Sequence, residues 1–260
     1  MAKALSPMTV WSLVRELRIA AEDTRPLLIS GPLAPQLEKE LSRGAAPGAI
    51  RLDGRAEDAS CLVRILAGAP MKEDEEALKA AKRARVPVVV VQTGTQAFEV
   101  PYVLATDVVM CRPGEGFPVE EIAAAVSARL GEAGTGLAAR VPCLREPLCH
   151  ELIESFSRRN GILGVAIFIP GADFPVLTLN QIRLVLRIGA AYRVEIDQQR
   201  LPEVLATVAA GFGFRAVARQ LLGTIPVAGW AVKGGIAYAG TRALGEAAMR
   251  YFEKTSEPLQ

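Results

Sequence analysis

The first half of the chain alternates short apolar runs with charged stretches of helical period. The apolar runs are Leu27-Leu28-Ile29-Ser30-Gly31, Ala49-Ile50-Arg51-Leu52, Cys61 to Leu66, Val86 to Val91 and Thr106 to Met110. Their lengths, and the continuous β-branched run Val88 to Val91, are those of strands covered on both faces. Between them, Ala34 to Leu41, Lys72 to Arg83 and Pro118 to Leu130 read as helices. Pro118 stands in a first turn, and Glu120 and Glu121, like Glu73 to Glu76, lie near the positive end of a helix. Strands alternating with helices predict an α/β fold: an N-terminal doubly wound, mainly parallel sheet. Ahead of it, Trp11, Leu13, Val14 and Leu17 recur at helical spacing. Arg15, Glu16 and Arg18 interrupt them, which predicts an amphipathic helix over about Thr9–Asp23 rather than a secretory leader.

The second half has a different pattern. Gly131, Gly134, Gly136, Pro142 and Pro147 form a dense set of breakers, which divides the chain into an α/β domain over 1–135 and an all-α helical domain over 136–260. Ten of the fourteen aromatics lie beyond residue 150. Gly161–Leu179 carries one charge, Asp173, and Gln220–Thr241 carries one, Lys233. Each run is broken at an Ile-Pro pair, Ile169-Pro170 and Ile225-Pro226. The pattern predicts helical hairpins: Cys149–Phe168 with Pro175–Val194, and Leu201–Leu222 with Val227–Phe252. The Ile-Pro pairs lie 56 residues apart, an offset that also sets Gly189 on Gly245. Duplication of a hairpin and chance agreement both account for it.

A spanning helix needs about 20 mostly apolar residues, and both runs are long enough. Arg183, Arg187, Arg215, Arg219, Lys233, Arg242 and Arg250 burden these helices, at roughly 2.5–3.5 kcal/mol for each charge at a bilayer centre. A partly embedded hairpin, or a bundle lying on a membrane surface, fits better than four clean spans. Ala231, Gly235, Ala239, Ala243 and Ala247 recur every fourth residue. Such a smooth face serves helix pairing in membranes, within a soluble bundle, or between copies of the chain.

Charge and composition remove several classes of function. Lys+Arg 30 against Asp+Glu 28 leaves +2, so no global field recruits nucleic acid. Four Cys exclude a disulfide scaffold, and a single His argues against a His-rich metal site or a Ser-His-Asp triad. Cys143, Cys149 and His150 lack the spacing of a zinc site; no metal and no cofactor are expected. Cys61 and Cys111 read as small buried hydrophobes.

Ligands of doubly wound sheets bind beyond the carboxyl ends of the strands. The crevice residues there are Gly31, Asp53, Thr93 and Glu115. A nucleotide-hydrolysing P-loop needs GxxxxGK[ST] after the first strand. This chain has Gly31-Pro32-Leu33-Ala34-Pro35-Gln36-Leu37, with no Lys or hydroxyl at the required spacing and two prolines that donate nothing. In the helical half, Asp173, Asn180, Gln181 and Arg183 form the polar candidates. Asp173 sits in an apolar turn, where capping a helix or pairing with Arg183 or Arg187 would offset its burial.

The order of elements over residues 26–130 nonetheless resembles a GTPase. Val88–Gln92 and Thr93-Gly94-Thr95 stand where a guanine-reading motif follows its strand, without the motif's Lys and Asp. Gly114-Glu115-Gly116-Phe117-Pro118-Val119-Glu120-Glu121 resembles the loop and helix that end such a domain. A flavodoxin-like or Rossmann-like scaffold fits the same pattern. Residues 157–253 resemble the YcjF-like domain of unknown function. The matching pieces are Gly164–Pro175, Leu179-Asn180-Gln181-Ile182-Arg183, Tyr192, Leu222-Gly223-Thr224-Ile225-Pro226-Val227-Ala228-Gly229 and Thr241-Arg242-Ala243-Leu244-Gly245. The resemblance implies an α-helical, often inner-membrane-associated domain that commonly follows a GTPase domain in bacterial proteins. Together these readings lead to the expectation of a cytoplasmic, non-catalytic, degenerate GTPase-like scaffold at or in the inner membrane, with lipid, a membrane protein or a second copy as partner. A soluble two-domain protein binding a small ligand or nucleotide without a P-loop is the alternative. An enzyme acting through Asp53, Thr93 and Glu115 is the weakest reading, because no pair of groups has the spacing that chemistry requires.

Overall fold

A computed structural model describes residues 23–166, 174–194 and 230–256, with Arg15, Glu203, Val204, Ala206 and Thr207 besides. The chain forms two compact units, one described over residues 23–148 and the other comprising Arg15 and the described residues from Cys149 onward.

The first unit is an α/β layer structure. Its strands are β1 (Leu27–Ser30), β2 (Ile50–Arg51), β3 (Cys61–Leu66), β4 (Val88–Thr93) and β5 (Val108–Cys111). They pair in the order β2-β1-β3-β4-β5, and every pair is parallel. This is the flavodoxin-like doubly wound order, whose direction reverses between β1 and β3. The central strand β3 is buried at all six positions, as a strand covered on both faces must be.

The helices are α1 (Ala34–Leu41), α2 (Lys72–Arg83), α3 (Val119–Leu130) and α4 (Thr135–Arg140). Helix α1 buries Leu37 and Leu41, one turn apart. Helix α2 buries Leu78 and Ala81, and these join Leu28, Leu62, Leu66 and Val90 in apolar clusters on one face of the sheet. Helix α3 buries Ile122, Ala123, Val126 and Leu130. The connection from β4 to β5 contains no α-helix, only a single 3₁₀ turn at Ala105–Asp107.

The breaker-rich stretch after Leu130 folds into this unit. Two 3₁₀ turns, Gly131–Gly134 and Pro142–Leu144, flank α4, and Leu137, Ala138, Val141, Leu144 and Leu148 are all buried. The Ala46 amide donates to the Arg140 carbonyl at 2.8 Å, and Arg140 Nη2 donates to the Arg25 carbonyl at 2.6 Å. The α/β unit thus extends past residue 135 to Leu148, because this stretch spends its apolar side chains on the sheet unit's core.

The second unit contains most of α5 (Arg145–Ala166), then α6 (Phe174–Ala191) and α7 (Trp230–Thr255). The expected helix Leu201–Leu222 lies almost wholly outside the described residues, as does the N-terminal helix Thr9–Asp23 apart from Arg15, which is helical, and Asp23, which is not. Helices α5 and α7 approach closely at two glycines. A Cβ on Gly234 would lie 2.8 Å from the Gly161 carbonyl oxygen, and one on Gly245 would lie 2.6 Å from Ile153 Cγ1. Among the described residues no helix is long and apolar enough to cross a membrane.

Candidate functional site

The crest over the carboxyl ends of β1 and β3 is the ligand position of this sheet order. Gly31 opens it with φ +102°, and a Cβ there would lie 2.2 Å from the Ile65 carbonyl oxygen. The turn leaving β1 therefore lies against the backbone of β3, which only glycine permits. Leu33 follows in the left-handed region at φ 61° and is 48% exposed.

A phosphate site on a helix start needs free backbone N–H groups aimed at the ligand. Five of the positions from Pro32 to Leu37 have an amide that is engaged or missing. The Ala34 amide donates to the Gly31 carbonyl at 3.3 Å. Pro32 and Pro35 have no N–H. The Gln36 and Leu37 amides both donate to the Leu33 carbonyl, at 3.0 and 3.2 Å. The start of α2 is acidic, with Glu73, Asp74 and Glu75 in its first turn, which repels an anion. Asp74 Oδ2 accepts the Met71 amide at 2.8 Å, and Asp74 Oδ1 accepts from Arg64 Nε and Nη2 at 2.9 and 2.7 Å. Arg64, the cation nearest the crest along β3, is thereby held below it and buried.

The other crevice residues do not converge. Asp53 follows β2 at one edge of the sheet and Glu115 follows β5 at the other, and these two strands are four spacings, or roughly 19 Å, apart. Both residues are exposed. Thr93 Oγ1 donates to the Leu66 carbonyl at 3.2 Å, tying the end of β4 to that of β3. Beside it the Gln92 amide holds both backbone groups of Phe98, at 2.7 and 3.0 Å. These groups serve loop geometry. Burial pushes the Cys61 thiol up to about 12 and the Cys143 thiol up to about 11, so neither supplies a thiolate nucleophile. Among the described residues no three His, Cys, Asp or Glu side chains gather as metal ligands.

The helical unit brings two of its polar candidates together. Asn160 Nδ2 donates to Thr241 Oγ1 at 2.8 Å, Asn180 Nδ2 to Asn160 Oδ1 at 2.9 Å, and Gln181 Nε2 to Thr241 Oγ1 at 3.3 Å. Thr241 donates in turn to the Ala237 carbonyl at 2.8 Å. Asn160 and Thr241 are fully buried, so a polar layer joins α5, α6 and α7. Sequence reading missed both. They carried one signal: each lies on the buried helical stripe of its helix, at the spacing of Phe156 and Gly245. Arg183 is half-buried, and Asp173 lies outside the described residues. Nearer solvent, Tyr238 Oη donates to Glu154 Oε2 at 2.8 Å, and Arg158 Nε donates to Glu154 Oε1 at 2.8 Å. Tyr238 first, and Arg158 after it, hold the Glu154 carboxyl below the usual carboxylate range.

The fourfold small-residue face is only partly packed. Gly235 and Ala239 are exposed, Ala243 is half-buried and Ala247 is buried. The close approach of helices uses Gly234 and Gly245 instead, a face rotated from the one read in the sequence.

No protein-family model, no curated protein and no solved structure matches this chain.

Proposed function

We propose that the chain is a non-catalytic binding or scaffold protein, in which a GTPase-like α/β unit without its phosphate turn is joined to a YcjF-like helical unit. The observation that carries this reading is the start of α1, where Pro32 and Pro35 have no amide and those of Ala34, Gln36 and Leu37 are bound to carbonyls, which makes a poor cradle for a phosphate. The acidic first turn of α2 supports it. The helical unit supplies the partner surface, with Gly235 and Ala239 exposed where a lipid, a membrane protein or a second copy would approach. In this reading the protein works on the cytoplasmic side of the inner membrane.

The test uses the full chain. A fluorescent GTP or GDP analogue with Mg²⁺ is expected not to bind at high micromolar protein, with folding confirmed by circular dichroism. Saturable binding at low micromolar concentration, or turnover of GTP, overturns the reading. Retention in membrane pellets through salt washes is the outcome expected for membrane association; release without detergent contradicts it. The second reading, a soluble protein that binds a ligand without a P-loop, is favoured by the strand order, since flavodoxin-like sheets bind at the β1/β3 switch point.

A further inference from the structure

Parallel strands need a crossover of a dozen or more residues, usually a helix that covers the sheet. The β4–β5 crossover lacks that helix, and a depression of about 280 Å³ remains beside Val88 and Val103, at the amino ends of the strands. We propose that this depression is a binding site for a small organic anion with an aromatic or branched-aliphatic body.

Its floor is apolar. Leu78 and Val86 are buried beneath it, next to Val88. Its rim is cationic: Lys82, Arg85 and Arg129 line it against a single acid, Asp107. Arg129 Nε lies 3.4 Å from Asp107 Oδ2, which offsets that acid. Among the described residues, neither Lys82 nor Arg85 has a carboxylate partner. Lys82 Nζ lies 5.1 Å from the centre of the Tyr102 ring, and Tyr102 is half exposed. The ring and the ammonium thus form one wall that accepts both a flat body and its charge. The volume suits a ligand near the lower limit of small-molecule pockets, about one ring with a short acidic arm.

Arg85 departs from local preference in a way that makes the test clean. Helix α2 ends with the Val86 amide on the Ala81 carbonyl at 3.0 Å and the Arg85 amide on the Lys82 carbonyl at 3.1 Å. This is the Schellman arrangement, whose left-handed residue is usually glycine. Arg85 occupies it at φ 57°. Glycine there relieves backbone strain while removing the cation, so loss of folding and loss of binding move in opposite directions.

The site lies at the end of the sheet remote from the crest, and it stands or falls independently of the nucleotide reading. The experiment is ligand-observed ¹⁹F NMR on the full chain, comparing 4-fluorophenylacetate with neutral 2-(4-fluorophenyl)ethanol. The acid should bind saturably, and the alcohol about ten-fold or more weakly, as for loss of a charge-assisted hydrogen bond. Arg85→Gly should weaken the acid by a similar factor at an unchanged or raised melting temperature, and Lys82→Gln should weaken it too. Equal binding of acid and alcohol, no binding of the acid at millimolar concentration, or full affinity in Arg85→Gly each overturns the proposal.

Discussion

Removing Asp74 exposes how much of the β3–α2 connection rests on one buried carboxylate. The side chains of Arg64 and Asp74 are 11% and 6% exposed, with 2.7 Å between Nη2 and Oδ1. Deleting one partner of such a pair costs about 3–5 kcal/mol, because the other charge stays buried without compensation. Glu73 Oε1 lies 3.8 Å from Arg64, but on a side chain 84% exposed, so solvent screens most of its help and the cost falls toward the lower limit. Asp74→Ala also releases the Met71 amide, a loss of about 1 kcal/mol. The sum is about 4 kcal/mol, or roughly 12–20 °C in the melting temperature at about 3–5 °C per kcal/mol, intermediate between the values for smaller and larger domains. Adding Arg64→Met removes the orphaned charge and leaves the lost cap, so the double variant should regain about 2–3 kcal/mol over Asp74→Ala. Urea unfolding of the full chain, followed by a probe of the α/β unit, measures the cycle. A double variant less stable than Asp74→Ala, or a single variant costing under about 1 kcal/mol, refutes the assignment.

Gly31→Ala places a Cβ 2.2 Å from the Ile65 carbonyl oxygen at φ +102° and should cost at least ~3 kcal/mol, against ~1 kcal/mol for Gly48→Ala, where φ is +74° and no atom lies within 4 Å; similar unfolding midpoints for the two would contradict the close approach. Tyr238→Phe removes the first cause of Glu154's lowered pKa. A lowered folded pKa stabilises above the unfolded value, near 4.5, and that contribution disappears as pH falls through the folded one. The variant should therefore melt below the wild type at pH 7 and converge with it toward pH 3; a constant gap across that range would show that the Glu154 linkage is absent.

Much of the first unit was legible because local rules decide it. Ala34–Leu41, Cys61–Leu66 and Lys72–Arg83 have the same bounds in sequence and structure, since apolar period, charge placement and breakers agree along each segment. The apolar run Val86 to Val91 begins two residues before β4 because Val86 completes the α2 cap and Pro87 has no amide to donate. The prolines of the turn before α1 argue against a phosphate site from sequence alone, and the structure adds carbonyl acceptors for the Ala34, Gln36 and Leu37 amides.

Long-range packing decided the rest. The order β2-β1-β3-β4-β5 depends on how the crossovers pack, which no single segment encodes. The stretch from Gly131 to Pro147 has the composition of a linker, yet Leu137, Val141 and Leu144 bury themselves and make it part of the sheet unit. Helix α7 carries small residues on more than one face, so sequence period alone could not distinguish Gly235 from Gly234; the Gly161 carbonyl on a helix over seventy residues away makes that choice. Asn160 looks like a surface residue beside Arg158 and Arg159, and only its contacts with Asn180 and Thr241 make burial of its amide affordable. In the sheet unit up to Leu130 the sequence by itself determined which segments become strands and helices, because those preferences are local. The tertiary structure alone decided which faces are buried and which polar groups meet, because burial and hydrogen bonding depend on partners distant along the chain.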